Sequence, residues 1–269
     1  MAAAVLPMAE ASALRKGAWT KMRVRLKFSK HGPIRFIGHL DTLRYFQKAI
    51  ARAKVPVKYS EGFHPHQLLS FAMPLSVGVE SDGEYLDMEL LSSVSYDDEK
   101  RFLNGIINDL NDTMDEGIKI LSAKVVPEGE KNAMASVSAA SYQVWYKNYK
   151  VEDPDTISEK IMDIINSNDP IIVTKKTKKS EKEIDLKPHI LTFSCGVSTF
   201  DETMELRFDY FMMLSAGSEN NIKPQLLMDA IHKRLGMDPE EYPIVIKRCD
   251  LFMNNEEGAI VPLINDLSE

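Results

Sequence analysis

The chain has 269 residues, 44% hydrophobic and 27% charged, with a formal net charge of −7. That composition excludes a low-complexity chain and supplies material for one large core or two small ones. No apolar run approaches the roughly 20 residues of a bilayer-spanning helix. The only cysteines, Cys195 and Cys249, make no disulfide framework and point to a reducing, cytoplasmic setting.

Residues 1–21 are expected to form a disordered extension. Arg15 and Lys16 follow its apolar part, whereas a secretory signal has its basic residues first. "MRVRLKF" (22–28) then alternates strictly, with Met22, Val24, Leu26 and Phe28 on one side and Arg23, Arg25 and Lys27 on the other, as a half-buried strand does. "GHLDTLRYFQKAIARAK" (38–54) switches to helical spacing. Leu40, Leu43, Phe46, Ile50 and Ala53 form its apolar stripe, and Arg44, Lys48 and Arg52 recur every four residues on another face. Asp41 near the start suits the helix dipole and is the expected capping residue, and Val55-Pro56 ends the helix.

"LLSFAMPLSVGV" (68–79) reads as a strand broken by a proline, and "GEYLDMELL" (83–91) as a second alternating strand. In the latter, Leu86, Met88 and Leu90 point inward and Tyr85, Asp87 and Glu89 outward. Residues 95–114 form a helix and 117–126 a strand, so the order is β-α-β-β-α-β. The polar, small-residue stretch 128–141 is the expected linker. The order then recurs: strand 142–149, helix 155–167, strands 170–176, 183–195 and 203–214, helix 223–236 ending on Gly236, and strand 242–253. The fold class expected is α+β, two tandem ferredoxin-like (split βαβ) domains over 22–127 and 142–256, followed by a tail at 257–269.

The charge is unevenly distributed. Residues 21–71 hold eleven Lys/Arg against two acids, and residues 72–131 hold fourteen acids against five Lys/Arg. Such adjacent blocks form an anion-binding surface or neutralise each other. In the expected topology strand 22–28 neighbours strand 83–91, so ion pairs from Arg23, Arg25 and Lys27 to Asp87 and Glu89 are the structural explanation.

The stretches "RFIGHLDTLRYFQKAIARA", "VKYSEGFHPHQLLSFAMPLSVGVESDGEYLDMEL", "KKSEKEIDLKPHI" and "IKPQLLMDAI" resemble the radical-SAM-linked proteins of the DUF2344 family, over about residues 22 to 253. The chain departs from the family's Asn-Pro-His-Pro-Lys at His64-Pro65-His66-Gln67-Leu68, which lacks the basic residue after the histidine. The resemblance implies an accessory role beside a radical SAM enzyme. A radical SAM cluster needs three closely spaced cysteines, and this chain has two cysteines 54 positions apart. It therefore does not hold that cluster alone, and no cofactor is expected of it.

The candidate ligand- or RNA-binding residues are Arg35, His39, Arg44, Lys48, Arg52, Tyr59, Glu61, His64 and His66. "YSEGFHPHQLLSF" (59–71) packs an acid, two histidines and three aromatics into one loop, and binding residues favour loops on a rigid scaffold. The structural alternative is a turn stiffened by Pro65, with Phe63 and Phe71 packed and Gly62 in a conformation other residues avoid. His64-x-His66 offers a weak metal pair where a structural zinc site wants four ligands. Gly38 and His39 precede a helix whose free N–H groups can take an anion. The lysine run 175–187 reads as a hairpin tip. Three functions fit: an accessory binding protein presenting RNA to a radical SAM enzyme, a metal-independent endoribonuclease using His31 or His39 with Tyr59 or a lysine, or a small-molecule binding protein.

Overall fold

The computed structural model describes residues 20–92, 98–147, 151–176, 181–200, 205–218 and 220–264. Residues 1–19, which make up most of the expected extension, lie outside them. The tip of the lysine-rich hairpin, 177–180, also lies outside them.

Alternation at the start of the chain produces β1 (Thr20–Lys30), whose Val24, Leu26 and Phe28 are buried. They pack on Phe46 and Ile50 of helix α1 (His39–Arg52), as the helical stripe requires. A 3₁₀ turn, Gly32–Phe36, joins the two. The stretch 68–79 keeps only a short strand, β2 (Leu69–Phe71), because the chain turns at Met73-Pro74. β3 (Glu80–Ser92), α2 (Glu99–Asn111) and β4 (Ile118–Val126) complete the first half. The expected linker is partly structured: α3 (Ala133–Ser136) leads directly into β5 (Val137–Tyr146). Then come α4 (Pro154–Asn166), the hairpin β6 (Ile172–Lys176) and β7 (Glu181–Asp185), β8 (Ile190–Phe200) and β9 (Glu205–Ser215). A 3₁₀ turn at Lys187–His189, centred on Pro188, splits the single strand expected over 183–195. α5 (Pro224–Arg234), β10 (Ile244–Asn254) and β11 (Ile260–Pro262) close the chain. β11 and the buried Leu263 and Ile264 lie where a tail was expected.

The fold is α+β around one large mixed sheet, ordered β4-β1-β3-β10-β5-β9-β8, with β2 also on β3 and β11 also on β10. β3 and β10 meet in parallel at Glu80–Ser81 and Lys247–Arg248, and this pairing makes the two halves one sheet. Each half keeps its own apolar cluster. No helix among the described residues is long and apolar enough to cross a membrane.

The side of β3 expected to face outward is covered. Tyr85, Asp87 and Arg25 are all nearly inaccessible. Arg25 forms the expected cross-strand pair with Asp87, at 2.7 and 3.0 Å. Its guanidinium also reaches the carbonyls of Lys131 and Leu263, and the Ala133 N–H donates to Asp87 at 2.7 Å. Segment 131–133 and Leu263 thus cap this face. Lys27 finds its acid on β10, at Asp250 (2.8 Å), and Arg23 donates to the Glu130 carbonyl instead of pairing with Glu89. The adjacent blocks of charge are therefore neutralised only in part by pairs across β1 and β3.

The second core holds a buried histidine. His232 on α5 stacks on Tyr146 with Nε2 3.0 Å from its hydroxyl, and His232 Nδ1 has no partner among the described residues. Burial pushes its pKa below the ordinary 6.5, against the opposing pull of Asp229. The folded state thus resists a proton that the unfolded state accepts, so this contribution is complete above pH 6.5 and is lost as pH falls below it. Thermal melts of wild type and His232→Gln between neutral pH and pH 5 should converge toward acid. The difference should change by at most about 1.4 kcal/mol per pH unit.

Candidate functional site

The 59–71 stretch begins as a ribbon laid on β3. Lys58 N–H donates to the Glu89 carbonyl, Glu89 N–H to Leu68 and Leu68 N–H to Lys58. Tyr59 bridges to Gln67, and residues 60–66 form a loop closed at that base. Ser60 closes it: its N–H donates to the His66 carbonyl (2.8 Å), and its Oγ accepts from His66 N–H (3.0 Å) and lies 2.8 Å from Nδ1. Gln67 is buried, with Nε2 donating to the Gln47 carbonyl and to the Tyr59 hydroxyl. The loop is pinned to α1 through this side chain.

Beyond the base, residues 61–66 are all exposed. Gly62 takes φ +114°, which a side chain would resist. Phe63 is one of the two aromatics whose packing would explain the loop structurally, yet it stands fully in water at 101% exposure. Phe71, the other, is buried against Phe28, Phe46 and the His39 ring. Glu61, His64 and His66 are exposed; the His39 ring packs on Phe71, and the His66 ring turns to Ser60. No cluster of three or more His, Cys, Asp or Glu that could hold a metal occurs among the described residues.

The remaining candidates scatter. Arg35 pairs with Glu80 at 2.6 Å. Burial favours a neutral Glu80, but Arg35, the Gly32 N–H and His31 outweigh it and hold the carboxyl below its ordinary range. His31 lies 3.0 Å from Asp82, whereas the Tyr59 hydroxyl bonds Gln67. Arg44 has an acid partner within its own helix, Asp41 at 3.1 Å. Asp41 is correspondingly no cap: Gly38 holds that position, without a side-chain bond. Arg52 donates to the Thr113 carbonyl, and Lys48 is exposed. Arg35, Arg44 and Arg52 thus each make a contact within the chain.

Three buried charged side chains, Lys30, Glu84 and Arg248, escaped the sequence reading. A shallow cleft of about 20 Å³, room for about one water, opens beside the start of α1, with Lys30 and Glu84 in its lining together with His39, Thr42, Phe71 and Met73. Lys30 and Glu84 are 3% and 4% exposed. Burial pushes the Lys30 ammonium pKa down, partly offset by Glu84, and pushes the Glu84 carboxyl up despite its partners. Arg248 from β10 bonds both Glu84 oxygens, at 2.9 and 3.0 Å, and donates to the Met73 and Pro74 carbonyls of the cleft wall. The signal for two of them was parity. Lys30 continues the inward set Val24, Leu26, Phe28, and Glu84 continues Leu86, Met88, Leu90, so each puts a charge on an apolar face.

A family model described as "Uncharacterized protein conserved in bacteria (DUF2344)" matches residues 23–224. No curated protein matches the sequence. Among solved structures, one titled "Crystal Structure of an Unknown Protein from Galdieria sulphuraria" aligns at 10% identity, covering 85% of this chain and 98% of that one. Its TM-score is 0.24, too low to support a shared architecture.

Proposed function

The chain belongs to the DUF2344 family, and from that premise we propose that it works by binding, as an accessory module docking on a radical SAM enzyme. The observation that carries this reading is Phe63: a large apolar ring wholly in water at the tip of a loop whose base is fixed by Ser60, His66 and Gln67. An exposed aromatic on a pre-ordered loop loses little freedom when it inserts into a partner, and such anchors dominate interface energetics. The same half of the chain also exposes Phe36, Leu40, Tyr59 and Val77. Phe36 and Val77 lie in neighbouring segments, since the Gly78 N–H donates to the Arg35 carbonyl at 2.9 Å.

We read each half as a split βαβ unit, because the order fourth-first-third-second recurs as β4-β1-β3-β2 and β10-β5-β9-β8. RNA, if presented to the enzyme, fits best on the second half. There Trp145, under the Arg207 guanidinium at 3.9 Å, and the half-exposed Phe211 lie on the strand face away from the buried Val144, Tyr146, Tyr210 and Met212.

The test mixes purified chain with a radical SAM enzyme of the same organism and measures association by sedimentation. Phe63→Ala should weaken binding roughly tenfold or more and leave the melting temperature unchanged. Absence of any complex with wild type would refute the docking reading. Labelled RNA added to the same mixture separates presentation (retention lost in Phe211→Ala) from cleavage, which would favour a nuclease.

A further inference from the structure

We infer that β8, an end strand of the large sheet, pairs with β8 of a second copy of this chain, antiparallel across a two-fold axis. The path of the sheet ends at β4 on one side and at β8 on the other. An end strand has one neighbour, and every second residue turns its N–H and C=O away from that neighbour. β4 is closed to further pairing. Asn111 of α2 donates from Nδ2 to the Ile120 carbonyl at 3.0 Å, and its Oδ1 accepts from the Ile120 N–H at 2.8 Å. One side chain thus occupies backbone groups that another strand would need. Lys119 and Lys124 put charge on the same strand, which also discourages pairing.

β8 has neither device. Ile190–Phe200 reads ILTFSCGVSTF, with no Lys, Arg, Asp, Glu or Pro. β5 is likewise free of charge, and β5 lies inside the sheet with β10 on one side and β9 on the other. β8 therefore has the composition of a strand with two neighbours and the position of a strand with one. Among the described residues, the backbone hydrogen bonds of 191–200 run only to β9. The lysine-rich hairpin does not extend this ladder, since β6 and β7 pair only with each other.

The occupant follows from the chemistry of the edge. Donors and acceptors alternating along an extended strand are matched by another extended strand. A second β8 meets that need without penalty, because antiparallel self-pairing is isologous and an uncharged strand sets no like charges against each other. Self-pairing of β4 would bring its lysines together. Leu191 and Val197, both half-exposed on β8, supply apolar surface beside the axis. The Phe63 loop belongs to the other half of the chain and takes no part.

Sedimentation equilibrium of the full chain tests this, with reductant present so that no dimer arises through Cys195. Wild type should show a monomer–dimer equilibrium whose dissociation constant changes less than about twofold between low and high salt, since no charges meet across the axis. Ser194→Lys, at an exposed position in mid-strand, should raise that constant about tenfold by placing like charges near the axis, with the circular dichroism spectrum unchanged. Hydrogen exchange on wild type needs no variant: raising the protein concentration should slow the β8 amides and leave the β4 amides as they were. The inference is overturned by a dimer that Ser194→Lys does not weaken, or by concentration-dependent protection centred on another strand. It is equally overturned by a chain that stays monomeric, which would leave the edge to an extended segment of a different protein.

Discussion

Replacing Arg248 by methionine should destabilise the protein by about 3–5 kcal/mol, the cost of leaving one member of a buried ion pair alone. At roughly 2–4 °C per kcal/mol for a chain of this size, the melting temperature should drop by about 10 °C. Arg248 is 4% exposed and ties three things at once: both Glu84 oxygens, the Met73 carbonyl and the Pro74 carbonyl. Its removal strands Glu84, whose carboxyl burial already raises above the ordinary 4.5. The direction with pH is set by that shift. A carboxyl with a raised folded pKa favours the folded state below pH 4.5, and that advantage disappears as pH rises through the folded value. The deficit of Arg248→Met should therefore be smallest in acid and grow toward neutral pH. Glu84→Met alone should also destabilise, by stranding the guanidinium. The double variant should recover much of either loss, because two apolar side chains in place of a buried pair cost little. Chemical denaturation of all four proteins at pH 5 and pH 8 checks this; additive single effects would mean the pair does not hold the seam.

How far the sequence revealed this structure depended on whether a residue's neighbours lie near it in the chain. β1, α1 and β3 were legible because alternation and helical spacing are local. So was the exposure of the 60–66 loop, whose residues favour a surface turn. What covers a face is not local. Tyr85 and Asp87 read as outward by parity, yet residues 131–133 and 263 bury them from more than forty positions away. Arg248 is 164 positions from Glu84, and nothing in β10's own sequence indicates that partner. The break expected at the proline of 68–79 is present, with β2 ending at Phe71, before Pro74, whereas Pro188 breaks the single strand expected over 183–195. The stretch "GEYLD" (83–87), which carried the family resemblance, turns out to be seam chemistry. Glu84 meets Arg248, Tyr85 donates to Asp250 at 2.6 Å, and Asp87 holds Arg25.

The first residue of that stretch gives the second large effect. Gly83→Ala should destabilise by about 1–3 kcal/mol, the usual range for overpacking by one carbon, and Gly83→Val by more. A Cβ on Gly83 would sit 2.5 Å from Asp250 Oδ1, 2.7 Å from the Cys249 carbonyl and 2.9 Å from Asp250 Cα. Two of those three atoms are backbone, so no rotamer change relieves the contact; β10 must move off β3. That movement strikes where the halves join. Asp250 is the acid for Lys27 and for Tyr85, and Arg248 next along holds Glu84. Gly105, inside α2 with nothing within 4 Å of its added Cβ, provides the control. Gly105→Ala should stabilise by about 0.5–1 kcal/mol through helix propensity alone. Hydrogen exchange should show the Gly83→Ala loss concentrated in the β3 and β10 amides, with β8 and α2 little changed. An even loss of protection across the sheet, or a melting temperature equal to wild type, would mean that the close approach at Gly83 is not what joins the two halves.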